Sequence, residues 1–465
     1  GENTINGAVL NIDTEDNSLV YSLLVDDIQG SAIQSPYTNI FGKVKNNILD
    51  YSVQLKDLND KNRYFLSGTL KALDGNSEIT IDPKTLLLDY DTYNLSEGNA
   101  IRFGKKGINI SDFEIGSDGN TIKIQSQSED PDAPIAVDFK NFEVGTVSKM
   151  VLKSDLQMSG KVNGNALLKT ATTNPVFISD LTIEDFRFKK DTLGTIAIKV
   201  NNQTANTYDT KIAITGHGNQ VNLDGIYNSN DRNLDMKLLI EKLNMKSIQG
   251  FSMDQITEGT GFLTGNFQII GNSNKPMVIG ELQFNDVSFK IKQLNAKFKS
   301  VNDKITFTND LILFDRFAIK DESDNELVIN GKIDSQNYTN LGFDLAIDAE
   351  NFKAVNSKAK DNDLFYGELL LDNHLTLKGT FENPTVEGNI KINKDTKLTV
   401  VVPQSAPSIA DREGIVEFID QDHPEFNETV SIDTINSTSD VKGFNAYVNI
   451  EVDKEADLTL IIDKA

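Results

Sequence analysis

Short runs of alternating apolar and polar residues follow one another along the whole chain. Leu282 and Phe284 in ELQFND, Leu327 and Ile329 in ELVINGK, and Leu375 and Leu377 in HLTLKG are typical. Alternation with period two gives a strand one apolar and one polar face. The runs recur at about ten- to sixteen-residue spacing, the rhythm of a meandering sheet, and Gly, Asn and Asp punctuate the gaps as turns require. Expected strands include Leu19–Val25, Tyr51–Leu55, Phe65–Ala72, Val176–Ile183, Leu263–Ile270, Val278–Phe284, Phe289–Phe298, Leu341–Ile347, Leu375–Phe381, Val386–Ile392 and Leu458–Ile462. Only Met245–Glu258, weakened by Gly250, and Ser408–Ile419 have a helical reading.

The pattern is partly repeated. Gly271, Pro276, Val278 and Gly280 share the spacing of Gly379, Pro384, Val386 and Gly388. Ile101, Phe103, Phe113, Ile115 and Ile122 share that of Ile305, Phe307, Phe317, Ile319 and Leu327, about two steps of 100 residues away, with Ile212, Ile214 and Val221 between them. A unit of roughly 100 residues fits these offsets.

So many apolar faces need a partner. A string of closed β-sandwiches would supply one, but Trp is absent and no linker composition marks the unit boundaries. A β-helix would recur with a tighter period. The third solution is one long, continuous sheet curled lengthwise into a trough, with apolar residues inside and about 25–30 strands over an order of 100 Å. Gly68, Gly160, Gly265, Gly280, Gly331, Gly379 and Gly388 fall on the apolar parity of their strands, where the missing Cβ permits sharp curvature or close approach. An open trough would expose more apolar surface than a soluble monomer normally carries, and so implies a resident apolar ligand.

Composition narrows the partners. The chain has 465 residues, a net charge of −24 and no cysteine. That balance argues against nucleic-acid binding, which requires a basic footprint, and against adhesion to anionic lipid surfaces. No apolar run is long enough to cross a bilayer as a helix. The chain opens and closes within the strand pattern and reads as a segment of a longer protein.

No catalytic constellation or cofactor motif assembles, so the expectation is a protein that is not an enzyme. His217, His374 and His423 lack metal spacing, and no G-x-S-x-G elbow occurs. The pairs Asp321 with Asp324 and Asp130 with Asp132 lie in turns without the aromatics of a sugar cleft. Asp321, Ser323 and Asn325 alternate as calcium-loop ligands do, but the sixth position is not Gly and Lys332 occupies the twelfth. A hairpin turn is the expectation there.

Five stretches carry a family resemblance. They are GFLTGNFQIIGNSNKPMVIGELQF (261–284), FAIKDESDNELVINGKI (317–333), DLAIDAENFKAVNS (344–357), GTFENPTVEGNIKI (379–392) and KLTVVVPQSAPSIADREGIVEFID (397–420). Over residues 261–420 the chain resembles the TamB family, a subunit of the translocation and assembly module of two-membrane bacteria. The PQSAPSIADREGIVEF stretch is the most specific, because strand-and-turn grammar alone does not generate it. The resemblance implies an all-β, curled, taco-like sheet with a hydrophobic interior and few short helices. It further implies a periplasmic location, an inner-membrane anchor helix preceding this segment, and an Omp85-type (TamA-like) barrel partner met by regions beyond it. The implied cargo is phospholipid acyl chains, with no cofactor and no metal.

On this reading residues 1–260 continue the trough, residues 261–465 form the TamB-type segment, and a Pro-containing excursion at 402–424 leaves the sheet, with Ile409, Ile415, Val416, Phe418 and Ile419 packing toward the trough. The candidate lipid groove is lined by Leu263, Phe267, Ile269, Val278, Leu282, Phe284, Phe289, Ile291, Phe298, Ile305, Phe307, Leu327, Ile329, Phe343, Leu345, Ile347, Leu369, Leu371, Leu377, Val386, Ile390 and Ile392. The alternative is a structural or adhesive β-solenoid or sandwich array whose interior is filled by its own side chains.

Overall fold

The structure, a computed structural model, describes residues 4–462 apart from 30–33, 36, 74, 118, 147–156, 171–175, 205, 301, 363 and 402–444. Among the described residues the chain is all-β, with 32 strands in one continuous mixed sheet. The expected helix at Met245–Glu258 is shorter than the pattern suggests. A helical turn at Met245–Ile248 passes into a 3-10 turn at Gln249–Ser252, and a strand begins at Ile256. The second helical reading and the excursion at 402–424 lie outside the described residues. The chain forms two units, Gly1–Phe251 with Gly265–Pro276, and Ser252–Thr264 with Met277–Ala465.

In the first unit antiparallel register carries one apolar row from strand to strand, through Leu19, Val44, Leu49, Leu70, Ile79, Ile101 and Ile110. The adjacent row alternates tyrosine with glycine, as Tyr21, Gly42, Tyr51, Gly68 and Ile81. A Cβ on Gly68 would run into Thr80 O, so the neighbouring strand folds toward this face at the glycine. The Tyr51 hydroxyl covers the bend and donates to Thr80 O at 3.0 Å. Tyr21 repeats the arrangement, donating to Asp50 O at 3.2 Å. Burial, followed by the nearby Asp82 and Asp50 carboxylates respectively, raises both phenols above the usual tyrosine value, which keeps them as donors. Farther along, Phe186, Phe188 and Leu193 form a buried core. Phe251 stacks on Phe188 at 4.4 Å. Buried Asn219 donates to Leu193 O and Ser247 Oγ and accepts from Asn244 N, tying the helical turn to the sheet.

Long strands of the second unit carry different neighbours on their two halves. Met277–Ile291 pairs with Lys304–Phe307 through Gly280–Gln283, and with Ala296–Ser300 through Val287–Ile291. Phe365–Thr380 pairs with Pro384–Ile392 through Leu371–Gly379, and with Lys397–Val401 through Phe365–Glu368.

A short motif marks this division: an apolar residue, a polar one, a residue in the left-handed region, and a second apolar residue. It reads Phe314–Asp315–Arg316–Phe317 and Ala349–Glu350–Asn351–Phe352, with Phe284–Asn285–Asp286–Val287 on a third strand. The left-handed residues have φ of 49°, 48° and 47°. The first unit has the same motif at Asn141 and Asp185, both with φ of 48°. The extra residue is a β-bulge. Phe314 faces Gly331 while Phe317 faces Ile329, so residues three apart stay on one face where a regular strand would send them to opposite faces.

Polar side chains hold the bulges. Asn330 Oδ1 accepts from Arg316 N at 2.9 Å, and Asp372 Oδ1 accepts from Asn351 N at 2.7 Å and from Asn393 Nδ2 at 2.8 Å. The Thr396 hydroxyl accepts from Leu370 N and donates to Leu370 O. Together they make a polar seam across the second unit. Asp321, 2% exposed, secures its neighbourhood. Its carboxylate accepts from the backbone N of Ser323, Asn325 and Lys353 and from Asn325 Nδ2, all at 2.7–2.9 Å. Both oxygens are engaged by N–H donors, so the segment is the hairpin turn expected rather than a cation loop. Asp321→Ala strands these buried donors and should lower the stability of the second unit by about 2–3 kcal/mol, read as a shift of its urea midpoint.

The meander gives way to parallel pairing at the end of the described chain. Pro384–Ile392 and Lys397–Val401, joined round the corner 393–396, are copied sixty positions on by Asn445–Val452 and Asp457–Ile461. Val386 faces Ala446, Ile390 faces Ile450 and Leu398 faces Leu458. Asn449 Nδ2 donates to Asn389 Oδ1 at 3.1 Å. The unit of about 100 residues does not contain this shorter repeat.

Candidate functional site

Register defines the apolar face of the second unit without appeal to hydropathy. One row runs through Leu282, Ile305, Phe314, Gly331, Leu345, Leu377 and Val386. A second runs through Gly280, Phe307, Ile312, Ile333, Phe343, Gly379 and Pro384. A third runs through Phe317, Ile329, Ile347, Leu375 and Gly388, and Phe284 joins it through an edge-on contact with Phe317 at 5.1 Å. At about 4.8 Å between strands the rows extend for roughly 30 Å.

The backbone of the next strand crowds in at the glycines of this face. A Cβ on Gly331 would run into Asp344 O of the next strand, and the residue's φ is +122°. Gly331→Ala should therefore cost about 2 kcal/mol or more through clash and backbone strain, seen as a lower urea midpoint for the second unit. The opposite face is polar, with ion pairs such as the exposed Lys304–Glu281 and the half-buried Lys353 with Glu368, of which the exposed pair adds solubility more than stability. His374 pairs with Asp348 there, both well exposed. His217 sits in a turn at φ 51°, and His423 lies outside the described residues. Among the described residues no three His, Asp or Glu stand together as a metal site, and no helix is long and apolar enough to cross a membrane.

The candidate residues from Val278 to Ile392 fall on this one face, at two different depths. Val278, Leu282, Phe284, Ile305, Phe307, Ile329, Phe343, Ile347, Leu377, Val386 and Ile390 are half-buried, and Leu345 is 9% exposed. Beyond the seam the side chains close on one another. Ala296, Phe298, Ala349 and Phe352 form a buried core, and Phe289, Ile291, Leu294, Ile319, Leu327 and Ala354 pack around it. Phe298 and Phe352 stack at 5.5 Å with planes 7° apart. Leu371, buried, and Ile392 continue the row of Phe352, and Leu369 faces buried Val355. Leu263 and Phe267 are buried and Ile269 is half-buried along Ile256–Asn272.

Sequence reading passed over several residues of this face, including Ile312, Phe314, Phe317, Ile333 and Leu375. The signal for Phe314 and Phe317 was the bulge motif itself, two aromatics three apart around a residue able to turn left-handed.

Residues 315–465 match the family model described as the TamB C-terminal domain. Neither the search of curated proteins nor that of solved structures found a match. The matched stretch contains the seam, most of the open rows and the parallel strands, and it overlaps the resemblance read over 261–420. The TamB family is a non-catalytic family of envelope assembly, named for the translocation and assembly module. Residues 315–465 of the chain are thus a TamB C-terminal domain.

Proposed function

We propose that this chain is a periplasmic segment of a TamB-like bridge, and that the apolar face of its second unit binds phospholipid acyl chains on their way to the outer membrane. The carrying observation is the half-buried state of most of the three rows, in which Phe317 and Leu345 are buried and the other apolar side chains are not. Phe307, Ile312, Ile333 and Phe343 lie on this face, yet none reaches the burial of a core residue. Three rows about 7 Å apart over roughly 30 Å make an apolar strip on the order of 400 Å², within the range of functional patches on monomers. An acyl chain has the shape and chemistry to cover such a strip, because it brings no polar group that would be left without a hydrogen-bond partner. The remaining parts of the proposal are an inner-membrane anchor, an Omp85-type barrel partner met outside this segment, and a contribution to outer-membrane protein assembly. They rest on the match of residues 315–465 to the TamB C-terminal domain.

The test is extraction. Lipid-stripped protein mixed with vesicles containing a self-quenched fluorescent phospholipid should relieve quenching in proportion to protein, and added acceptor vesicles should take up the released lipid. A structural array with a filled interior would leave the fluorescence unchanged, and that result would refute the proposal.

A further inference from the structure

The seam divides the apolar face into two halves of different burial. On one side lie the open rows through Leu282, Ile305 and Leu377 and through Phe307, Ile333 and Phe343, all half-buried, with Leu345 between them at 9% exposed. On the other, Val287 is 0% exposed, Ala296 and Phe352 are 3%, and Phe298 and Val355 are 4%. Hydropathy does not distinguish the halves, since both present Phe, Ile and Leu inward. The difference is geometric. The hairpin between Leu311–Lys320 and Glu326–Asp334 ends at the Asp321 turn, and beyond that end the flanking strands meet directly. Asn356 N donates to Leu294 O at 3.0 Å, and Asn295 Nδ2 donates to Asn356 O at 2.7 Å. Phe298 and Phe352 are thereby pressed into a stack, and their half of the face is filled.

We infer that acyl chains occupy only the open half, and that the Phe298–Phe352 core forms a fixed protein wall along one side of the lipid path. The inference rests on the proposed lipid-binding function and specifies which part of the face carries it. The seam is then the boundary of the path. Its bulges turn the strands so that one chain of alternating residues supplies both a lipid-facing surface and the wall beside it. A filled half also narrows the passage, which favours extended acyl tails lying along the rows over bulky or branched apolar molecules.

Photolabelling tests this on the unaltered chain. The purified protein is equilibrated with phosphatidylethanolamine–phosphatidylglycerol vesicles doped with a phospholipid carrying a diazirine in one acyl tail, irradiated, digested and mapped by mass spectrometry. Adducts are expected on 277–284, 304–314, 342–347 and 375–390, at least tenfold above those on 294–300 and 352–357. Comparable labelling of the two sets would overturn the wall while leaving lipid binding intact. No labelling anywhere would overturn the lipid-binding function, and this inference with it. As a second readout, Phe298→Leu should lower the thermal midpoint of the second unit without moving the adducts. A shift of adducts into 294–300 in the wild-type chain at higher lipid load would also contradict the wall.

Discussion

Phe343→Asp is expected to reduce the phospholipid bound per chain about tenfold while leaving the sheet folded. Phe343 lies on an open row, opposite Ile333 and Gly379, and is only half-buried. An aspartate there can keep water when the face is empty. With an acyl chain against it, the carboxylate must give up hydration without a compensating partner, at a cost of several kcal/mol. About 1.4 kcal/mol of that cost already gives a tenfold loss. Lipid quantified by mass spectrometry per mole of protein, beside an unchanged far-UV circular dichroism spectrum, checks both halves of the expectation. Loss of the fold together with the lipid would mean that Phe343 belongs to a closed core.

Phe352→Ala should do the opposite. Phe352 is 3% exposed and stacked on Phe298, and its backbone follows the left-handed Asn351. Truncation removes the transfer contribution of the ring and leaves a cavity that the stack, held by the Asn356–Leu294 and Asn295–Asn356 hydrogen bonds, cannot close. The cost should be about 3–5 kcal/mol. Because the chain has two units, the effect is best read in the transition of the second unit, as a large drop in its urea midpoint and not as one global unfolding energy. Chains that remain folded should keep their phospholipid. The pair of variants thus separates lipid-facing residues from wall residues on the same sheet face.

Period-two alternation made the all-β class legible in the sequence, and with it the shared parity of neighbouring apolar residues along each strand. It also gave the curvature role of strand glycines such as Gly68 and Gly331. What alternation could not show is where a strand continues through a break in phase. Val278–Phe284 and Phe289–Phe298 were read as separate strands. In the fold the bulge at Asp286 joins the first to Val287–Ile291, and a turn precedes Ala296. The same blindness hid the difference between the half-buried open rows and the buried Phe298–Phe352 core. Phe298 and Phe307 have the same chemistry and parity, and only the premature end of the Asp321 hairpin, a tertiary feature, closes the space around the first. Parallel pairing at the end of the described chain was missed for a related reason, since the two copies sixty residues apart match in strand and corner but lie on either side of a long connection.

Native mass spectrometry of the purified chain, released from its host membranes without detergent exchange, tests the central claim most directly. The account predicts a ladder of masses above that of the 465-residue chain, spaced by phospholipids and collapsed to the bare mass by Phe343→Asp. A folded wild-type chain that carries no phospholipid and takes up none from vesicles would contradict it.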